Sequence, residues 1–299
     1  MLPLNGKTSK ISGILILIII IILYLFFKAG KRKELRICDW NIEWFGMPKF
    51  KEIFASIDMP LYNKMIDNMY DIKFYINIIN PDIICFQEIA STSTIQTLSE
   101  YLIDYDLYSK PDLVKHDQQY NVFLVKKAIP VVRFVVIDDK HKMIRLDYTH
   151  NGETVSLYNV HLKADYGGVE YSHIRMKQTK FLQDYIIQNY NPNIIITGDT
   201  NSQAGSKELR ILEDNYINVI FSRKCSLNIE KKNSLWYDKN SNDNISSDEI
   251  YLIDYYLVSK NVYNTIDRML IYNILYQKLF KRDVSNKISD HYPIILDLH

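Results

Sequence analysis

Short apolar runs recur along this chain, and most of them break off in a carboxylate, a carboxamide or an imidazole. Leu35–Ile42 carries Asp39-Trp40-Asn41-Ile42-Glu43 at its end, and Asp82–Gln87 gives way to Glu88. Thr154–His161 closes with Asn159-Val160-His161-Leu162, and Ile194–Thr197 runs into Gly198-Asp199-Thr200-Asn201. Ser289-Asp290-His291 stands just before Pro293–Leu298. Bounded runs this rich in β-branched residues read as buried strands. Tyr120–Lys126, Val131–Ile137, Met143–Tyr148 and Leu252–Val258 read the same way, with Asn151-Gly152 as a hairpin turn.

Between the strands the period changes. Met65, Met69, Ile72, Ile76 and Ile79 recur at three- and four-residue steps, which predicts an amphipathic helix over Tyr62–Asn80 that Pro81 stops. Ile95–Leu102 reads as a short helix and Tyr171–Tyr190 as a long one. Strands and helices repeated in two halves, with no internal repeat and no Gly/Ser linker, predict one α/β (α+β) domain. Its expected form is a four-layer sandwich of two packed mixed β-sheets flanked by helices. Asn240–Asp248, rich in Asn, Ser and Asp, reads as a solvated surface loop without the regular ligand spacing of a calcium site.

The N-terminal segment follows another logic. Ile14–Phe27 has no charge, and apolar character reaches back to Ile11, about 17 residues in all, enough for a short transmembrane helix. Lys28 to Lys33 offers no small-residue cleavage site, so an uncleaved anchor over 1–33 is expected rather than a signal peptide, followed by a catalytic domain over 34–299. Lys28, Lys31, Arg32 and Lys33 outnumber Lys7 and Lys10 across the span, which places that domain in the cytosol. Cys38, Cys85 and Cys225 have neither disulfide nor metal spacing, in keeping with a reducing compartment. Six of the 36 basic residues and none of the 35 acidic ones precede Glu34, so the rest of the chain carries 30 against 35, formally −5. That balance counts against nonspecific coating of nucleic acid without excluding a nuclease.

Polar groups far apart in sequence meet only if their strand ends converge at one edge of a sheet. Carboxylates with amides make a hard-oxygen site suited to Mg²⁺ or Mn²⁺, and two histidines add proton transfer and anion binding. Hydrolysis of a phosphate ester needs that combination. Taken singly, each residue has a second reading. Glu88 is bound to a cation or paired at a helix end, and Asn41 is a ligand or a turn former. Glu43, two residues on, is a further ligand or a surface glutamate. His161 at a strand end is structural or phosphate-binding, and Asp199 with Asn201 is a working pair or an Asx turn capping a helix near Lys207. Asp254, inside Leu252-Ile253-Asp254-Tyr255-Tyr256, requires a partner, because an unpaired carboxylate in an apolar strand is costly.

In this order the five stretches resemble the endonuclease/exonuclease/phosphatase superfamily, the deoxyribonuclease I-like fold, from about Leu35 to His299. The resemblance implies Glu88 as the main metal ligand, with Asn41, Asp290 and Glu43 around the ion. It implies His291 near the attacking water, Asp254 holding that imidazole, and His161 and Asn201 on the phosphate. Asp199 would orient or deprotonate the water, or protonate the leaving oxygen. The activity implied is that of a membrane-anchored, Mg²⁺-dependent (or Mn²⁺-dependent) nuclease acting on nucleic acid. A sphingomyelinase-type lipid phosphodiesterase is the main alternative, because an anchor holds the site near lipid. Tyrosyl-DNA phosphodiesterase-like end processing and a catalytically dead scaffold are lesser ones. Arg175, Gln178, Lys163 and Lys177 are left without a role.

Overall fold

The computed structural model describes residues 35–45, 71–89, 98–109, 119–138, 142–165, 169–225, 234–236, 250–271 and 289–299. The expected anchor at Ile14–Phe27, the first part of the Tyr62–Asn80 helix and the Asn240–Asp248 loop lie outside the described residues. Among the described residues no helix is long and apolar enough to cross a membrane. Leu35–His299 forms one compact unit.

The first strands are β1 (Leu35–Phe45), β2 (Ile83–Ile89), β3 (Tyr105–Tyr108) and β4 (Tyr120–Lys126). They are followed by β5 (Val131–Asp138), β6 (Met143–His150), β7 (Glu153–His161), β8 (Ile194–Asp199) and β9 (Ile217–Asn218). A small ribbon, β10 (Leu235–Trp236) with β11 (Ile250–Tyr251), precedes β12 (Asp254–Val258), β13 (Ile266–Ile271) and β14 (Ile294–Leu298). Helix α1 covers residues 71–79 and α2 residues 98–101. Helix α3 spans Ser172–Gln188, α4 Lys207–Glu213 and α5 Lys260–Thr265.

Two six-stranded sheets carry the order β13-β14-β1-β2-β4-β3 and β5-β6-β7-β8-β12-β9. Each is mixed in the same way. One central pair is parallel, β1 with β2 and β7 with β8, and the flanking pairs are antiparallel. This topology makes the site. Parallel neighbours end at the same edge, so Asn41 lies opposite Gln87, and His161 opposite Asp199. An antiparallel neighbour begins where they end, which sets Asp254 opposite Asp199 and brings His291 in just ahead of β14.

Side-chain alternation sorts the core. Ile37, Ile83, Cys85 and Phe123 join Met143, Leu157 and Tyr256 in one cluster that spans the two sheets. Their neighbours Cys38, Trp40, Ile84 and Phe86 point the other way, onto Ile72, Tyr75, Ile76 and Ile79 of α1. Leu182 and Ile186 of α3 and Leu209 and Leu212 of α4 belong to the larger cluster with the second sheet. Strands covered on both faces read as unbroken apolar runs, the pattern seen in the sequence. Short edge elements escape it: β3 has four residues, and β13 exposes Asp267.

Gly198 marks a close approach of β8 to β7 in the second sheet. Its φ is +131°, and a Cβ there would lie 1.9 Å from the Val160 carbonyl oxygen. We expect Gly198→Ala to destabilise the domain by at least about 3 kcal/mol, because neither backbone can retreat without breaking the parallel ladder. Chemical denaturation would measure it.

Candidate active site

The polar edge begins with two irregularities. In β2 the register slips between Phe86 and Ile89, and in β1 between Asn41 and Phe45. Glu88 and Glu43, one in each slip, take left-handed backbone with φ of 61° and 40°. Asn201 and Lys142, also at this edge, do the same at 47° and 55°. Four of the six non-glycine residues with positive φ among the described residues thus gather at one place, the kind of clustering found at functional sites.

A buried seam underneath fixes the two sheets. Asn159 of β7 donates to the carbonyls of Phe86 (3.0 Å) and Val122 (3.1 Å), while its own Oδ1 accepts from Gln87 (2.8 Å). The Gln87 amide donates also to Asp39 (2.7 Å). With Gln87 turned down between the sheets, Glu88 turns out into the cleft.

Asn41, 1% exposed, stands at the centre. Its Nδ2 lies 3.1 Å from Glu88 Oε1, 3.0 Å from Asp199 Oδ2 and 3.4 Å from His291 Nε2. Its Oδ1 accepts the Glu43 N–H at 3.1 Å. An extended segment would put Asn41 and Glu43 on one face. The left-handed turn at Glu43 breaks that alternation: Asn41 is buried and Glu43 exposed, reaching the centre through its backbone N–H.

His291 Nδ1 lies 2.9 Å from Asp254 Oδ2, and its Nε2 lies 3.7 Å from both Asp199 Oδ2 and Asp290 Oδ1. Ser289 Oγ secures this loop, donating to the Asn41 carbonyl (2.6 Å) and accepting the His291 N–H (3.0 Å). Trp40 Nε1 donates to the His291 carbonyl (3.1 Å). Ser234 Oγ accepts the N–H of Asp254 (3.0 Å). Asp254 therefore has the partner its buried position demands.

On the far side, His161 Nε2 lies 3.5 Å from Glu88 Oε1 and 3.7 Å from Asp199 Oδ2. Its Nδ1 is 3.5 Å from Lys142 Nζ. Lysine only donates, so Nδ1 is the acceptor and Nε2 carries the hydrogen, directed at the carboxylates. Lys142 also bonds Gln119 Oε1, and Gln119 Nε2 donates to Glu88 Oε2 at 2.6 Å. Asn201 gives its backbone N–H to Asp199 Oδ1 (2.8 Å) and one amide hydrogen to the Leu162 carbonyl (3.0 Å), leaving its second amide hydrogen outside that bond. The helix near Lys207 is capped by Ser206 rather than by Asn201.

Burial and mutual charge displace the titrations. Asp199 is pushed up to about 7, first by burial and then by Asp254 and Glu88, against the pull of His291. Asp290 is also raised, by burial and the Glu88 and Asp254 charges. Burial works against a charged His291, but Asp254, Asp290 and Asp199 push its pKa well above the usual value. His161 goes the other way, held neutral by burial and by the Lys142, His291 and Lys163 charges.

A divalent cation fits this donor set. The carboxylates of Glu88 and Asp199 lie within 4.8 Å of one another and of His161, and those of Asp199 and Asp254 within 4.8 Å of one another and of His291. Glu88 and Asp199 already converge on a single amide nitrogen, and turning that amide over would put Asn41 Oδ1 between them, an arrangement only a cation would stabilise. Burial first, and neighbouring carboxylates after it, raise Asp199 and Asp290, and a bound cation would favour their ionised forms.

The raised groups give the metal-free protein a distinct pH response. Asp199, Asp290 and Asp39 have folded pKa values above the ordinary ~3.9, so the folded state holds more protons than the unfolded one above that value. His291 is likewise raised, and its contribution is lost as pH rises through its folded pKa. His161, lowered, acts in the opposite sense, costing stability below about 6.5. We expect the melting temperature in EDTA to fall by several degrees between about pH 6 and pH 8, and Mg²⁺ to restore most at the higher pH. Differential scanning fluorimetry reads both.

Comparison with known proteins rests on structure. No family model matches the chain, and no curated protein matches it in sequence. Among solved structures, zebrafish (D. rerio) TDP2 complexed with single-strand DNA product superposes with a TM-score of 0.63 at 17% identity, covering 88% of this chain and 97% of that one. The endonuclease/exonuclease/phosphatase from Bacteroides vulgatus gives 0.62 at 17% identity, with 89% and 98% covered. This chain shares the fold of both. Truncated Caenorhabditis elegans TDP2, at 0.61 and 19% identity over 88% of this chain and 96% of that one, shares it.

Proposed function

We propose that this chain is a metal-dependent phosphodiesterase that hydrolyses nucleic acid. The observation that carries the reading is the convergence of the His291–Asp254 pair, Asp199, Glu88 and a neutral His161 around the Asn41 amide, at the edge where both parallel strand pairs end. Mg²⁺ or Mn²⁺, held by Glu88 with Asn41 and Asp290, would supply Lewis-acid neutralisation of phosphoryl charge. The chain's own groups do the rest. Asp199, titrating near neutrality, takes the proton of the attacking water as the new P–O bond forms in line with the one that breaks. His291, kept charged by Asp254, meets the growing charge on the phosphorane oxygens. The His161 Nε2–H and the second Asn201 amide hydrogen hold non-bridging oxygens. The leaving alkoxide takes its proton from solvent.

Nucleic acid is favoured over a phospholipid by the fold shared with TDP2, which binds single-strand DNA product, and by the cationic flank described next. The apolar segment at Ile14–Phe27 supports tethering of this activity to a membrane, with the basic residues behind it on the cytosolic side. Initial rates on an oligonucleotide and on sphingomyelin in mixed micelles, with the full chain in Mg²⁺, decide between the substrates. Faster oligonucleotide cleavage is expected. Hydrolysis of sphingomyelin alone would overturn the nuclease reading.

A further inference from the structure

Two lysines flank His161 and take no part in the steps above, and each is placed by its backbone as well as its side chain. Lys142 sits at the turn into β6 in left-handed conformation. Its carbonyl accepts from the buried Asn121 amide (2.6 Å) and from the His161 N–H (3.2 Å). Its ammonium rests on Gln119 Oε1 beside the His161 ring. Lys163 follows His161 by two residues. Its N–H donates to Gln178 Oε1 (2.9 Å), and its carbonyl accepts from Arg175 Nη1 (2.9 Å). Gln178 and Arg175 are 4% and 3% exposed, and Arg175 is locked in turn by Asp165 (2.7 Å) and Glu208 (3.2 Å). The Lys163 side chain is exposed, its Nζ 4.8 Å from the centroid of the Tyr171 ring. Charge from both ammonium groups reaches His161, and that of Lys163 reaches Lys142 as well. A buried framework thus holds the backbones of two lysines on either side of His161, and the charge of both reaches its ring, in a domain whose formal charge from residue 34 on is −5.

We propose that Lys142 and Lys163 form an anion subsite that receives a phosphate next to the scissile one, selecting a polyanionic strand over an isolated phosphodiester. The proposal rests on the nuclease reading and specifies its substrate. A nucleic-acid strand brings one charge per about 3.4 Å of axis, so a phosphate bound at His161 delivers its neighbour to these lysines. A choline headgroup brings a quaternary ammonium instead, which two lysines repel. The net acidity of the domain means that binding depends on this local pair rather than on a general field.

The test uses the full chain and three dinucleotides, TpT, pTpT and TpTp, which differ only in whether, and on which side, a second phosphate flanks the diester. For the wild type, kcat/KM on one of the two phosphorylated dinucleotides is expected to exceed that on TpT by about tenfold, the equivalent of one good charge-assisted contact. The advantage should appear mainly in KM. Lys163→Gln should reduce it to less than about threefold, and Lys163→Arg should retain it. Lys142→Gln should reduce it too, and each lost lysine should flatten the salt dependence of oligonucleotide binding by roughly 0.7 in the log–log slope. Equal rates on all three dinucleotides, or an advantage that survives both glutamine variants, would overturn the subsite alone. Sphingomyelin turned over faster than any dinucleotide would overturn the nuclease reading with it.

Discussion

His291→Gln is expected to lower kcat for oligonucleotide cleavage on the order of 10³-fold, with KM little changed. Glutamine can still bond Asp254, so the buried carboxylate is not left bare and the fold survives. What is lost is a cation at the point where charge develops. His291 Nε2 lies 3.7 Å from both Asp199 and Asp290 and 3.4 Å from the Asn41 amide. An uncharged amide there stabilises a phosphorane oxygen far less than an imidazolium that three carboxylates keep protonated. Because the histidine acts on charge that appears only in the transition state, the loss falls on turnover. Steady-state kinetics beside a thermal melt would check it. A variant within about threefold of wild-type kcat would remove His291 from the chemistry.

Glu88→Gln should weaken Mn²⁺ binding by at least about 100-fold. Glu88 is pinned from three directions. The β2 bulge turns it into the cleft, Asn41 meets one carboxylate oxygen, and Gln119, braced by Lys142, meets the other at 2.6 Å. An amide of the same shape keeps the packing but loses the charge. It also presents an NH₂ group toward Asn41 or Gln119, each of which offers a donor there. Isothermal titration with Mn²⁺ measures the affinity without reference to turnover, and a companion melt separates ligand loss from unfolding. Affinity within about fivefold of wild type would show that the ion, if bound, is held elsewhere.

Much of this edge was legible in the sequence for one physical reason. A polar group that ends an apolar run marks a strand end, and Asn41, Glu88, His161, Asp199 and His291 each do so or stand just before such a run. Asp254 announced itself through cost, since a carboxylate among Ile, Tyr and Leu has to be paired. Asn159, Gln87 and Asp39 left a fainter signal, polar residues at inward positions of apolar strands, recognisable only once the facing sheet is known. Lys142 left none. It lies in Lys140-His141-Lys142, a stretch with the composition of any solvated turn, and only the three-dimensional closeness of β6 to β7 brings it to His161. The reach of β1 to Phe45 and of β2 to Ile89 was hidden by bulges, which interrupt the alternation that reveals a strand. Helix α4 presents only Leu209 and Leu212 as buried apolar residues, too few to show a period.

The most direct test of a metal-dependent phosphodiesterase is the nicking of supercoiled plasmid by the full chain in Mg²⁺, beside EDTA and His291→Gln controls. Open circles that form in Mg²⁺ and in neither control are expected. Nicking that persists in EDTA, or no nicking by folded protein that binds Mn²⁺, would contradict the assignment of this edge to metal-assisted hydrolysis of nucleic acid.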